Sequence, residues 1–142
     1  MFGRVKTALS AKLTAGNIEE QTLDSEGRLL TWPYQARDLT TTAYASLTTG
    51  TAATLLTGIA GVKHDLVMVV GSNSSTASAT IDIRDATNGG IVATIEVPAG
   101  GVAGFVPPTP VPQNIAGDTW TVDMNDITGT TVNVTGLFVK NL

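Results

Sequence analysis

Two pairs of aspartates, Asp82 with Asp85 and Asp123 with Asp126, stand three residues apart. Two carboxylates placed close together can divide acid from base work, as in glycoside hydrolysis. Each pair here reads as one acid on a strand and one in the turn that follows, where carboxylates are ordinarily solvated, so no such chemistry is expected. His64 is the only histidine, which excludes a zinc centre built from several imidazoles. It opens an apolar run and is expected to be an ordinary edge or turn residue. The stretch DMNDITG, 123–129, is rich in oxygen donors. An EF-hand loop would need glycine in the sixth place and glutamate in the twelfth, and neither is there. Cysteine is absent, which removes disulfide scaffolds, thiolate metal sites and thiol catalysis together. The glycine pairs fall in turns with no lysine or helix behind them, so they form no phosphate cradle. We expect no enzyme, no cofactor and no metal.

The other chemistry available is adhesion. Residues 25–38 read SEGRLLTWPYQARD and bring together Arg28, Trp32, Tyr34 and Arg37. Tryptophan, tyrosine and arginine dominate interface energetics, because they bury much area while keeping a polar handle. Trp32 and Tyr34 flank Pro33 and lack the alternation of a strand, so the segment is expected to meet a partner, the other reading being that the two rings fold back and plug the open end of the sandwich. Upstream, Phe2, Val5, Leu9 and Leu13 recur at spacings of three and four, which fits a helix with one apolar side, ended by Gly16 and Asn17, the alternative being a frayed terminus. Lys6 and Lys12 bracket an apolar centre too short for a secretion signal.

Charge divides the chain. Residues 1–38 carry five cations and five anions, whereas 39–142 carry three cations against seven anions, the whole net charge of −4. The organisation expected is an N-terminal arm or attachment segment, 1–38, followed by a body, 39–142. No basic cluster exists to neutralise phosphates, so nucleic acid is not an expected partner. No apolar run approaches the roughly 20 residues that span a bilayer, so neither is a membrane.

The body must position whatever the protein presents, and its texture is β throughout. Alternation is clean at 79–84, where Ile81 and Ile83 point inward, and at 91–97, where Ile91, Ala93, Ile95 and Val97 do. It recurs at 119–124 through Trp120, Val122 and Met124, and at 130–140 through Val132 and Val134, after which Gly136 predicts a bulge or a change of side. The runs 43–49, 51–57 and 65–70 complete the set of expected strands. Turns are expected at Gly71-Ser72-Asn73, Asn88-Gly89-Gly90, Gly100-Gly101, 114–118 and 126–129. VPPTPVP, 106–112, should form a rigid extended loop crossing between sheets. Many short strands with frequent turns predict an all-β, jelly-roll-like antiparallel sandwich of about eight strands.

The runs RLLTWPYQARDLTTTAYASLTTGT, DLVMVVGSN, ATIDIRDATNGG and TWTVDMNDITGTTVNVTGLFVKNL resemble small virion structural proteins of tailed bacteriophages, similar to capsid decoration (cement) or head-fibre subunits. The resemblance runs from about residue 23 to the end. It implies a jelly-roll body without enzymatic activity, made in the host cytoplasm and carried on the capsid surface. It also implies the major capsid protein and further copies of the chain, as a dimer or trimer, for partners. On this reading Phe2, Val5, Leu9, Arg28, Trp32, Tyr34 and Arg37 contact the capsid or a neighbouring subunit. The alternative is a tail-fibre or surface module that binds a receptor or carbohydrate, for which the body offers chiefly Tyr44 and Phe105 as exposed aromatics.

Overall fold

The computed structural model describes residues 39–125 and 131–141. The proposed arm, 1–38, with its contact residues Phe2, Val5, Leu9, Arg28, Trp32, Tyr34 and Arg37, lies outside the described residues, as does Asp126. No helix among the described residues is long and apolar enough to cross a membrane.

The described residues form eight strands: β1 (Thr40–Leu47), β2 (Ala53–Leu56), β3 (Lys63–Asn73), β4 (Ala79–Arg84), β5 (Ile91–Val97), β6 (Val102–Phe105), β7 (Trp120–Met124) and β8 (Val132–Asn141). They make two four-stranded antiparallel sheets, ordered β1-β8-β3-β6 and β2-β7-β4-β5. Successive strands alternate between the sheets, except that β4 and β5 are neighbours in one, which is the double Greek key of a jelly roll. The fold class expected from sequence is therefore the one observed.

Alternation drives the assembly. Ile81 and Ile83 of β4, Trp120 and Val122 of β7, and Val132, Val134 and Phe138 of β8 are fully buried between the sheets. Each such side chain contributes about 1.5–3 kcal/mol by leaving water. The rings of Trp120 and Phe138 meet at a centroid distance of 5.4 Å, tilted by 52°. That geometry adds about 0.5–1.5 kcal/mol beyond area alone.

Several local expectations are corrected. Gly71-Ser72-Asn73 is not a turn but the end of β3, since Ser72 and Asn73 still pair with Asn133 and Val132 of β8. Asn73 points inward and satisfies itself by donating from its amide to the Ala77 and Val97 carbonyls. Gly136 makes no bulge: β8 keeps register with β1 straight through Ala43 and Gly136. The Phe138 ring lies over Gly136, in the place a Cβ would need. The irregularity falls on the partner strand instead, between Leu66 and Met68. Ile91 is exposed rather than inward, because the β4–β5 register shifts after Ile83 and sets Ile91 opposite Arg84. Strand β6, absent from the sequence reading, is a short edge.

Candidate interaction surface

The strand directions gather three connections at one end of the sandwich: 57–62 between β2 and β3, 85–90 between β4 and β5, and 106–119 between β6 and β7. Residue 39 enters β1 at this same end, where the Lys140 amide donates to the Leu39 carbonyl at 2.7 Å. The 106–119 connection is the longest among the described residues, and long ordered loops in compact domains usually carry function.

Its four prolines lie in a crossing from one sheet to the other that bends at Pro108 and Thr109, and buried hydrogen bonds fix where it lands. Val111 and Leu66 exchange backbone bonds of 2.8 and 2.9 Å. Gln113, fully buried, then ties the loops together. Its Oε1 accepts from the His64 backbone N–H at 2.8 Å, and its Nε2 donates to the Asp118 carbonyl at 2.8 Å. A longer contact of 3.4 Å runs from Nε2 to the Asp85 carbonyl. The Gln113 N–H donates to Asp65 Oδ1 at 2.9 Å, and the Asn114 N–H to Asp85 Oδ2 at 3.1 Å. Trp120 Nε1 closes the set by donating to the His64 carbonyl at 2.7 Å. Asp85 therefore caps a loop, and Asp82 lies beside Arg84 and accepts from Thr94.

His64 corrects its sequence reading. It is 1 % exposed, an interior residue rather than one of the edge. Neither ring nitrogen has a hydrogen-bond partner among the described residues. Burial pushes its pKa below the usual 6.5, nearby Lys140 lowers it further, and Asp65 opposes both.

On this pinned base sit two matching turns. Ile59-Ala60-Gly61-Val62 closes with a Val62 N–H to Ile59 carbonyl bond of 2.9 Å, and Ile115-Ala116-Gly117-Asp118 with the corresponding bond at 3.4 Å. Gly61 and Gly117 hold φ of 77° and 87°, as the third position of a type II turn demands. The turns lie side by side, the Gly117 N–H donating to the Val62 carbonyl at 2.9 Å. They approach so closely that a Cβ on Gly58 would collide with the Gly117 carbonyl oxygen. Each turn presents its isoleucine to solvent, Ile59 50 % and Ile115 59 % exposed. Leu39, Ile91 and Val106 are exposed at the same end, so five of the seven large apolar side chains exposed among the described residues gather there.

Sequence reasoning missed these residues. The available signal was the tripeptide Ile-Ala-Gly, which occurs at 59–61 and again at 115–117. Of the two body aromatics weighed for a sugar site, Phe105 is half-buried and packed against the core, while Tyr44 is exposed.

No family model and no curated protein matches this chain. Among solved structures, it is similar to a chain of the Bacillus endospore appendages, described as disulfide-linked pili. The identity there is 16 %, the TM-score is 0.39, and the match covers 73 % of this chain and 90 % of that one. It is also similar to the virus-like particle of extra small virus from the giant freshwater prawn Macrobrachium rosenbergii. That match has 11 % identity and a TM-score of 0.36, and covers 95 % of this chain and 96 % of that one.

Proposed function

We propose that this chain is a structural protein of a phage virion that decorates the assembled head and stabilises it without covalent bonds. The observation that carries the reading is the gathering of exposed apolar side chains at the end where residue 39 begins, on loops held by buried hydrogen bonds. A surface fixed before binding loses little entropy on docking. The first 38 residues, with Arg28, Trp32, Tyr34 and Arg37, supply the anchoring contacts to the major capsid protein. Ile59 and Ile115 add an apolar footing. A contact of about 800 Å² per partner is enough for specific attachment. A ligand that binds only the assembled lattice stabilises it by mass action, and many copies add.

Co-sedimentation with purified heads tests this reading. The full chain is expected to saturate the heads, and a folded 39–142 body to leave them bare. Full occupancy by the truncated body would overturn the proposal. One observation favours the alternative of a receptor- or carbohydrate-binding module: Tyr44 stands exposed on a sheet face. Glycan binding that survives loss of residues 1–38 and fails on Tyr44→Ala would support that reading over ours.

A further inference from the structure

The two outer faces of the sandwich differ in charge. On the β2-β7-β4-β5 sheet, Asp82, Arg84, Glu96 and Asp123 face outward. Arg84 Nε lies 3.3 Å from Asp123 Oδ2, and its Nη1 donates to the Gly89 carbonyl at 2.9 Å. The β1-β8-β3-β6 sheet is different. Its register sets Tyr44, Thr135, Val70 and Gly104 in one outward row across all four strands. The flanking outward rows run from Ser46 to Val102 and from Thr42 to Met68, and none of the three holds a formal charge, the sheet's Lys63, Asp65 and Lys140 lying beyond them toward the loop-bearing end.

We propose that these three uncharged rows are the contact between two copies of the chain, packed sheet on sheet about a two-fold axis. The proposal is independent of how the protein meets a head. Its first support is electrostatic. Residues 39–142 carry the whole net charge of −4, so two copies repel wherever their acids approach. Here they can meet with no formal charge opposing another, and in an isologous contact every residue meets the same kind of surface. The second support is the state of Tyr44. Its ring is 61 % exposed, yet its hydroxyl donates to Asn133 Oδ1 at 2.6 Å. An aromatic held in place before binding gives up little conformational freedom on docking and is a preferred interface anchor. The third is Val102 of edge strand β6, 66 % exposed on the same face, an apolar group on an edge that otherwise lacks the charges that keep free edges apart. With strands about 4.8 Å apart and a rise of about 3.4 Å per residue, the face spans roughly 400 Å² in projection. That is a small contact, so the dimer should dissociate on dilution through the micromolar range.

Sedimentation velocity on the full chain, over a concentration series reaching a few hundred micromolar, tests the proposal. The wild-type chain is expected to shift with concentration from 14.6 kDa to twice that mass. Thr135→Glu, exposed at the centre of the face on β8, should weaken the dimer at least about tenfold, because it sets like charges together across the axis. Val102→Glu, at the exposed edge, should weaken it in the same direction. Both variants should keep the far-UV circular dichroism of the wild type, and Thr54→Glu on the opposite sheet should leave the dimer unchanged. A wild-type chain monomeric throughout, a trimer, or a dimer indifferent to both face variants would overturn the proposal. So would a monomer whose head binding falls on Thr135→Glu, which would assign the face to a shell subunit instead.

Discussion

Replacing Gln113 with alanine is expected to remove about 2–4 kcal/mol of folding free energy, far more than the loss of one polar side chain from a loop. The figure follows from what the side chain satisfies. Gln113 is fully buried, and its Oε1 is the acceptor for the His64 N–H at 2.8 Å. Removing it leaves a buried donor without a partner, at about 1–3 kcal/mol. The Asp118 carbonyl loses its 2.8 Å donor as well, but lies nearer solvent and recovers much of that from water. The remainder comes from the space left between the three loops. For a body of about 100 residues this corresponds to a fall in melting temperature of roughly 10–30 °C. Urea unfolding followed by far-UV circular dichroism measures it, with Asn114→Ala as the control on an exposed neighbour. Hydrogen exchange should in parallel show the His64 amide losing its protection. A loss below about 1 kcal/mol, or an equal loss in the control, would refute the claim that Gln113 locks the loops.

Three further outcomes are expected. The folded state holds His64 neutral with a pKa below 6.5, so near and below that value the unfolded chain binds the extra proton and stability falls as pH drops. Urea melts compared at about pH 5 and pH 7 should show this loss in the wild type and a smaller one in His64→Leu; equal losses would remove His64 as the cause. Gly58→Ala forces a Cβ into the Gly117 carbonyl, and should destabilise by about 2 kcal/mol or more with the loss of ordered loop resonances by nuclear magnetic resonance; a shift within about 0.5 kcal/mol would contradict the close packing of the twin turns. The double variant Ile59→Asp/Ile115→Asp should keep its stability within about 1 kcal/mol, because both side chains are exposed, yet bind heads at least about tenfold more weakly. Undiminished binding would take the apolar end out of the attachment surface.

The parts of the fold that were legible in the sequence are those where one face is buried and the other wet. Ile81 and Ile83 in β4, and Trp120, Val122 and Met124 in β7, announce both strand and orientation, because a slip of one residue would invert every side chain. The same logic fails where register is irregular. Ile91 has the parity of an inward residue, but the extra residue at the β4–β5 shift turns it out. Composition misled at Gly71-Ser72-Asn73, turn-like residues that long-range pairing with β8 holds extended. It also hid β6, whose Val-Ala-Gly-Phe sequence has weak strand propensity and is held by pairing with β3. His64 looked like an edge residue since polarity is a local property. Its burial depends on Gln113 and Trp120, which are distant in sequence and bond its backbone rather than its ring. The apolar end was illegible for a related reason: single isoleucines in separate loops form a surface only once the jelly roll brings loops 57–62 and 106–119 together.

Attachment through residues 1–38 is tested most directly by head occupancy, read by co-sedimentation, for the full chain and for residues 39–142 at matched concentration, with circular dichroism to show that the shorter chain is folded. Saturated heads are expected with the full chain and bare heads with the folded body. Equal occupancy by the two would contradict it.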